Sequence, residues 1–189
     1  MKLLKTISMS LLLASSLVLP VSAFANESVT PNSNLKSQIK GVNVGVTEAK
    51  KYSAEEAEAI LNNSVPATIV TPSNINTFSI ISHITYAFQK LNEREYVDTL
   101  SSFTTTGSST NVNITLVQWS NGSTKITYQL FNSSGTAFGS PQLVTGDYTS
   151  SNLTIGISNV PAGTYRIRIS NVGSNLIDVN TAAGNGYTQ

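Results

Sequence analysis

The stretch NVPAGTYRIRISNVG, residues 159–173, decides how this chain is read. Val-Pro-Ala-Gly is turn chemistry, with proline presetting one backbone angle and Gly163 expected to supply an angle other residues avoid. Beyond the turn the pattern has a period of two. Tyr165, Ile167 and Ile169 fall on one side, and Thr164, Arg166, Arg168 and Ser170 on the other. Successive side chains of a strand point to opposite faces, so the pattern predicts a strand with a core face and a wet face. Two readings of the arginines stay open. They keep the outer face soluble and discourage edge pairing, or they meet a carboxylate-bearing partner.

The same alternation extends outward in both directions. Leu153, Ile155 and Ile157 alternate with Thr154 and Gly156, and Ile126, Tyr128 and Leu130 alternate with Thr127 and Gln129. From Tyr96 onward the runs YVDTLSSFTTT, VNITLVQW, STKITYQLFN, SPQLVTG, NLTIGIS, TYRIRIS and LIDVN read as short strands. They are separated by GSST, SNG, NSSGTAFG, GDYTSS and NVPAG, which carry the Gly, Asn, Ser and Pro of turns. Strands this closely spaced leave no room for crossover helices. The fold class expected is mainly β: an antiparallel, jelly-roll-like β-sandwich over residues 93–180 with a short helical N-terminal extension.

Upstream of the strands the character changes. Residues 1–25, MKLLKTISMSLLLASSLVLPVSAFA, have a basic start, an apolar run and a small-x-small end, the pattern of a secretory signal cleaved after Ala25. The apolar run is short of the roughly 20 residues a spanning helix needs, so a secreted protein without a membrane anchor is expected. Residues 26–50 read as a flexible leader, and GVNVGV within them carries a weak strand signal. Residues 51–92 form an extension containing one helix, YSAEEAEAILNNSVP. There Ser53 and Glu56 have the spacing of a capping box, and Glu55 and Glu56 suit the positive end of the helix dipole. FSIISHITYAF is read as a strand from its β-branched residues. Residues 181–189, TAAGNGYTQ, read as a polar tail.

Over residues 94–179 the order of motifs resembles the bacterial pre-peptidase C-terminal domain, a secreted β-sandwich often appended to hydrolases. The resemblance is carried by YVDTLSSFTTTGSSTNVNITL, by ITYQLFNSSGTAFG and by LTIGISNVPAGTYRIRIS. Phe131-Asn132-Ser133-Ser134-Gly135 and Pro161-Ala162-Gly163-Thr164-Tyr165 stand where the family has a strand-ending turn and an Ala-Gly-Thr-Tyr strand start. The chain departs from the family in having no hydrolase domain upstream and no acidic cluster of the calcium-binding kind. The resemblance implies a sandwich with a non-catalytic accessory role, and it implies no ligand.

Composition narrows the chemistry. Lys2 and Lys5 leave with the signal, so 11 Lys+Arg become 9 against 10 Asp+Glu, a formal charge of −1. That balance speaks against nucleic-acid partners, which select clustered basic residues. Zero cysteines exclude disulfides, thiol catalysis and cysteine-ligated zinc. His83 is the single histidine, so a Ser-His-Asp hydrolase would have to use it, and no Gly-x-Ser-x-Gly elbow accompanies it. Glu93, Glu95 and Asp98, beside Arg94, are the compact acidic group and read as a solvated, ion-paired connection. No cofactor and no metal site are expected.

What remains is surface recognition. Trp119 ends a strand before the turn SNG, where it either packs between sheets or stacks on a sugar ring with Gln118, Asn121 and Tyr148 as hydrogen-bonding neighbours. Together with Arg166 and Arg168 these are the candidate binding residues. The expected function is an extracellular binding or accessory module that contacts a polysaccharide, cell-wall or protein surface. The alternatives are a secreted hydrolase built on His83 with one of the three acids, or an inhibitor or partner of a secreted hydrolase.

Overall fold

Among the described residues, period-two alternation is realised in eleven strands, joined by one helix. They are β1 (Lys50–Lys51), α1 (Ala54–Asn62), β2 (Val65–Pro66), β3 (His83–Leu91), β4 (Glu95–Asp98), β5 (Phe103–Thr105), β6 (Thr110–Ser120), β7 (Lys125–Asn132), β8 (Ala137–Thr145), β9 (Tyr148–Val160), β10 (Gly163–Asn171) and β11 (Val179–Thr188). The structure, a computed structural model, describes residues 44–71, 82–106, 110–120, 122–173 and 179–188. The signal segment, most of the leader, the first four residues of FSIISHITYAF, most of LIDVN and Asn121 lie outside the described residues. Among those described, no helix is long and apolar enough to cross a membrane.

The strands form an antiparallel-rich β-sandwich. A four-stranded sheet has the order β3-β11-β6-β9, and a larger sheet has the order β1-β4-β10-β7-β8-β2, with β5 also pairing β10. The chain passes between the sheets at most connections from β3 onward, the wrapping habit of jelly rolls. The core lies between the sheets. Ile84, Tyr86 and Phe88 of β3, Ile114 and Leu116 of β6, and Ile155 of β9 meet Tyr128 and Leu130 of β7 and Ile167 and Ile169 of β10. Fully burying each such side chain contributes about 1.5–3 kcal/mol. In β10 the expected faces hold: Tyr165, Ile167 and Ile169 are buried and Arg166 is exposed.

Several elements differ from the reading of the sequence. YVDTLSSFTTT is one edge interrupted in the middle, because β4 pairs residues 168–170 of β10 and β5 pairs residues 163–165. Thr99 fills the gap: its N–H donates to the Ile167 carbonyl at 2.9 Å, and its Oγ1 accepts from the Ile167 N–H at 3.1 Å. Tyr148 and its neighbours, read as a turn, begin β9. In the turn before β10 the left-handed residue is Asn159 (φ 58°), not Gly163. Gly163 supplies room instead, since a Cβ there would come within 3.1 Å of the Tyr165 ring.

The stretch read as a polar tail is a strand through Thr188. β11 runs between β3 and β6 and pairs with both. Its small residues are what the position demands. A Cβ on Gly184 would collide with the Thr115 carbonyl oxygen and reach 2.6 Å from the Tyr86 hydroxyl, so the large side chains of neighbouring strands occupy the space β11 vacates.

The N-terminal extension closes the two open sides of the sandwich. On one side Val44 exchanges backbone hydrogen bonds with Ala87 of β3, while Thr47 N–H donates to Asp98 O and Leu100 N–H to Gly45 O. On the other side β2 pairs β8 in parallel, and Ala67 N–H donates to Leu143 O. The chain then turns to β9, where Val70 N–H donates to Thr154 O and Thr68 O accepts from Gly156 N–H. Between these two seams runs α1, whose capping box forms as expected: Ser53 Oγ accepts from Glu56 N–H at 3.1 Å and Glu56 Oε2 accepts from Ser53 N–H at 2.8 Å.

Candidate functional site

The outer face of the larger sheet collects side chains that lie far apart in the sequence. Register alone brings them together. Asp98 of β4, Arg168 of β10 and Gln129 of β7 form one row; Tyr96, Ser170 and Thr127 form the row beside it; Arg166 stands opposite Phe131, and Thr164 opposite Thr104 of β5. Adjacent strands lie about 4.8 Å apart and alternate residues about 6.7 Å, so each row touches the next.

Arg168 organises this face. Its Nε donates to Asp98 Oδ1 at 2.6 Å and its Nη2 to Oδ2 at 2.8 Å, a two-pronged pair. The guanidinium carbon lies 4.2 Å from the ring centroids of both Tyr96 and Phe131, so the cation is held between two aromatic faces. Tyr52, from the segment that leads into α1, stacks on Tyr96 with centroids 4.4 Å apart. The result is a layered stack: Tyr52, Tyr96, Arg168, Phe131. Burial works against the charge of Arg168, but the hydrogen bonds and charge of Asp98 prevail and raise its pKa. Burial raises the Tyr52 phenol, partly offset by its hydrogen bond with Ser170 Oγ at 3.2 Å. Tyr52 thus lies over Ser170, which explains why that outward residue is buried.

Arg166 differs from its neighbour. It is exposed and has no hydrogen bond or ion pair among the described residues. The two arginines read together from the sequence therefore separate: Arg168 is saturated by Asp98 and two rings, while Arg166 keeps an open guanidinium beside Phe131. Thr104 and Thr164, both exposed, place hydroxyls 3.5 Å apart in the next row.

The group expected around Trp119 does not converge. Gln118 and Trp119 are consecutive on β6 and so point to opposite faces. Gln118 is fully buried on the core side. Its Oε1 accepts from the Tyr128 hydroxyl at 3.0 Å, and its Nε2 donates to Thr124 Oγ1 at 3.0 Å and to Gly146 O at 2.9 Å. Tyr148, opposite Gln118 in register, packs half-buried against the core. Trp119 is on the other side of the sheet and only 4% exposed, apart from the inter-sheet core and without an open ring face. Asn121 lies outside the described residues.

The residues of the hydrolase alternative are also apart. His83 opens β3 and Leu91 ends it, a separation of about 27 Å along the strand. Glu93 and Glu95 lie beyond that far end, and each has a local partner. Glu95 Oε2 accepts from Asn92 N–H at 2.8 Å and Nδ2 at 2.9 Å, and Glu93 lies 3.9 Å from Arg94. Asp98 is committed to Arg168. Among the described residues, no three His, Cys, Asp or Glu side chains converge as a metal site would require.

No protein-family model matches this chain, and no curated protein matches it. Among solved structures it is similar to two of an exo-β-1,3-galactanase from Phanerochaete chrysosporium with β-1,3-galactotriose. The first has 12% identity and a TM-score of 0.32, the second 13% identity and a TM-score of 0.27; each covers 64% of this chain. The chain spans 29% of the length of those enzymes. Likeness at this level assigns no ligand and no residue role. The chain is an antiparallel-rich β-sandwich, and a preassembled polar-aromatic group lies on the outer face of its larger sheet.

Proposed function

We propose that this is an exported, non-catalytic β-sandwich module that uses the outer face of its larger sheet to contact an extracellular polymer, cell-wall or protein surface. The observation that carries the reading is the stack of Tyr52, Tyr96, Arg168 and Phe131 with Arg166 open beside it. Such a face is ordered before any ligand arrives and combines apolar rings with hydrogen-bonding edges. Preorganisation of that kind lowers the entropic cost of binding. The signal-like N-terminus and the resemblance to a secreted accessory domain support the same reading.

The test is retention of the purified protein on insoluble glycans, peptidoglycan and immobilised matrix proteins. Wild type is expected to be retained on at least one of them. The double variant Phe131→Ala, Arg166→Ala is expected to bind at least tenfold more weakly, about 1.4 kcal/mol. N-terminal sequencing of the protein from the medium should begin at Asn26. Failure of the wild type to bind any of these surfaces removes the proposal.

A further inference from the structure

The face just described also points to the chemistry of what it contacts, an inference that rests on the reading of this face as the binding surface. Asp98 already neutralises Arg168, through both prongs of the guanidinium. Of the two arginines on the face, the one left open is Arg166, exposed and unpaired among the described residues. Its immediate neighbours are a ring and two hydroxyls: Phe131 opposite it across the β10–β7 ladder, and Thr164 and Thr104 one row along. The patch spans about 10 Å across three strands and about 7 Å along them.

We infer that this patch binds a carboxylated polysaccharide, with Arg166 taking the carboxylate and the Phe131 ring lying against the apolar face of the sugar that bears it. A guanidinium presents a planar fork that matches a carboxylate, and it remains charged at any physiological pH. The Thr104 and Thr164 hydroxyls both donate and accept, as ring hydroxyls require. Within this patch, a single open cation among neutral hydrogen-bonding groups fits a ligand whose negative charges are spaced one per ring. A polyacidic peptide, with charge at every residue, would instead select several clustered cations.

The experiment compares wild type and Arg166→Gln on polygalacturonate, on the same polymer after carboxyl reduction, and on poly-L-glutamate. The substituted residue is exposed, and an unchanged thermal midpoint shows that the variant is folded. Wild type is expected to bind polygalacturonate. Its affinity should fall roughly tenfold or more on carboxyl reduction, on Arg166→Gln, and between about 50 mM and about 500 mM salt. Equal binding to the carboxyl-reduced polymer overturns the inference while leaving the face as a binding surface. Preference for poly-L-glutamate, or unchanged binding by Arg166→Gln, also overturns it. If no glycan, peptidoglycan or protein surface retains the wild type, the broader proposal fails with it.

Discussion

Two tyrosines in the core show how differently one residue type is used at the residue scale. The Tyr128 hydroxyl donates to Gln118 Oε1, completing a buried network with Thr124 and Gly146. The Tyr86 hydroxyl is also buried, close enough to Tyr128 to interact with it, yet it lacks a partner of hydrogen-bonding geometry. Tyr128→Phe should therefore cost about 1–3 kcal/mol by stranding the Gln118 carbonyl, whereas Tyr86→Phe should be neutral or slightly stabilising. Urea denaturation at pH 7 checks the pair, and equal losses would contradict this accounting. Burial raises the phenols of Tyr52, Tyr86 and Tyr128 above the ordinary 10.0. Below pH 10 both the folded and unfolded chains keep these protons, so stability is fully present. Above pH 10 the unfolded chain ionises first, and stability falls as pH rises. Urea midpoints measured from pH 8 to about 11.5 should decline only over the upper part of that range.

At the scale of elements, α1 and β11 reverse what local signals suggest. The helix has the clearer sequence signature, a complete capping box, yet it buries only Ala57 fully. Ser53→Ala should fray α1 at a cost of about 1 kcal/mol. The strand β11 lacks apolar alternation in its sequence but is paired on both sides. Gly184→Ala should cost about 3 kcal/mol or more, because the added methyl meets the Thr115 backbone, which cannot rotate away, as well as the Tyr86 hydroxyl. Thermal denaturation of the two variants side by side gives the ranking. A smaller loss for Gly184→Ala than for Ser53→Ala would show that β11 yields easily.

Across the whole molecule, stability is unevenly distributed. Long ladders hold β3, β11, β6 and β9 together, and β10 to β7. The seams closed by residues 44–47 and 65–70 rest on two-residue pairings and single bridges. All the exposed large apolar side chains among the described residues lie at these seams: Val44, Val65, Ile69 and Leu100. Few buried contacts and short ladders mark segments that open locally before the rest. In native-state hydrogen exchange the amides of Thr47, Ala67 and Val70 should exchange through local opening. Those of Ile114, Ile167 and Ile169 should exchange only through global unfolding. Equal protection at both sets would mean that the straps and the sandwich form one cooperative unit.

How much of this was legible in the chain depends on how local the signal is. Period-two alternation is a property of consecutive residues, so the sequence by itself determined that the protein is a β-sandwich and that Tyr165, Ile167 and Ile169 face inward with Arg166 outward. It also determined the cap of α1, since Ser53 and Glu56 are one turn apart. The same alternation, counted from Val112, already separates Gln118 from Trp119, and a grouping of the two around one ligand overlooks it. Only the tertiary structure decided which outward residues meet. Arg168 and Asp98 are 70 positions apart, and Tyr52 and Ser170 are 118. Their contact follows from strand order and register, which local periodicity does not encode. The same holds for β11, where Gly184 and Gly186 are strand residues because the neighbouring side chains need their space.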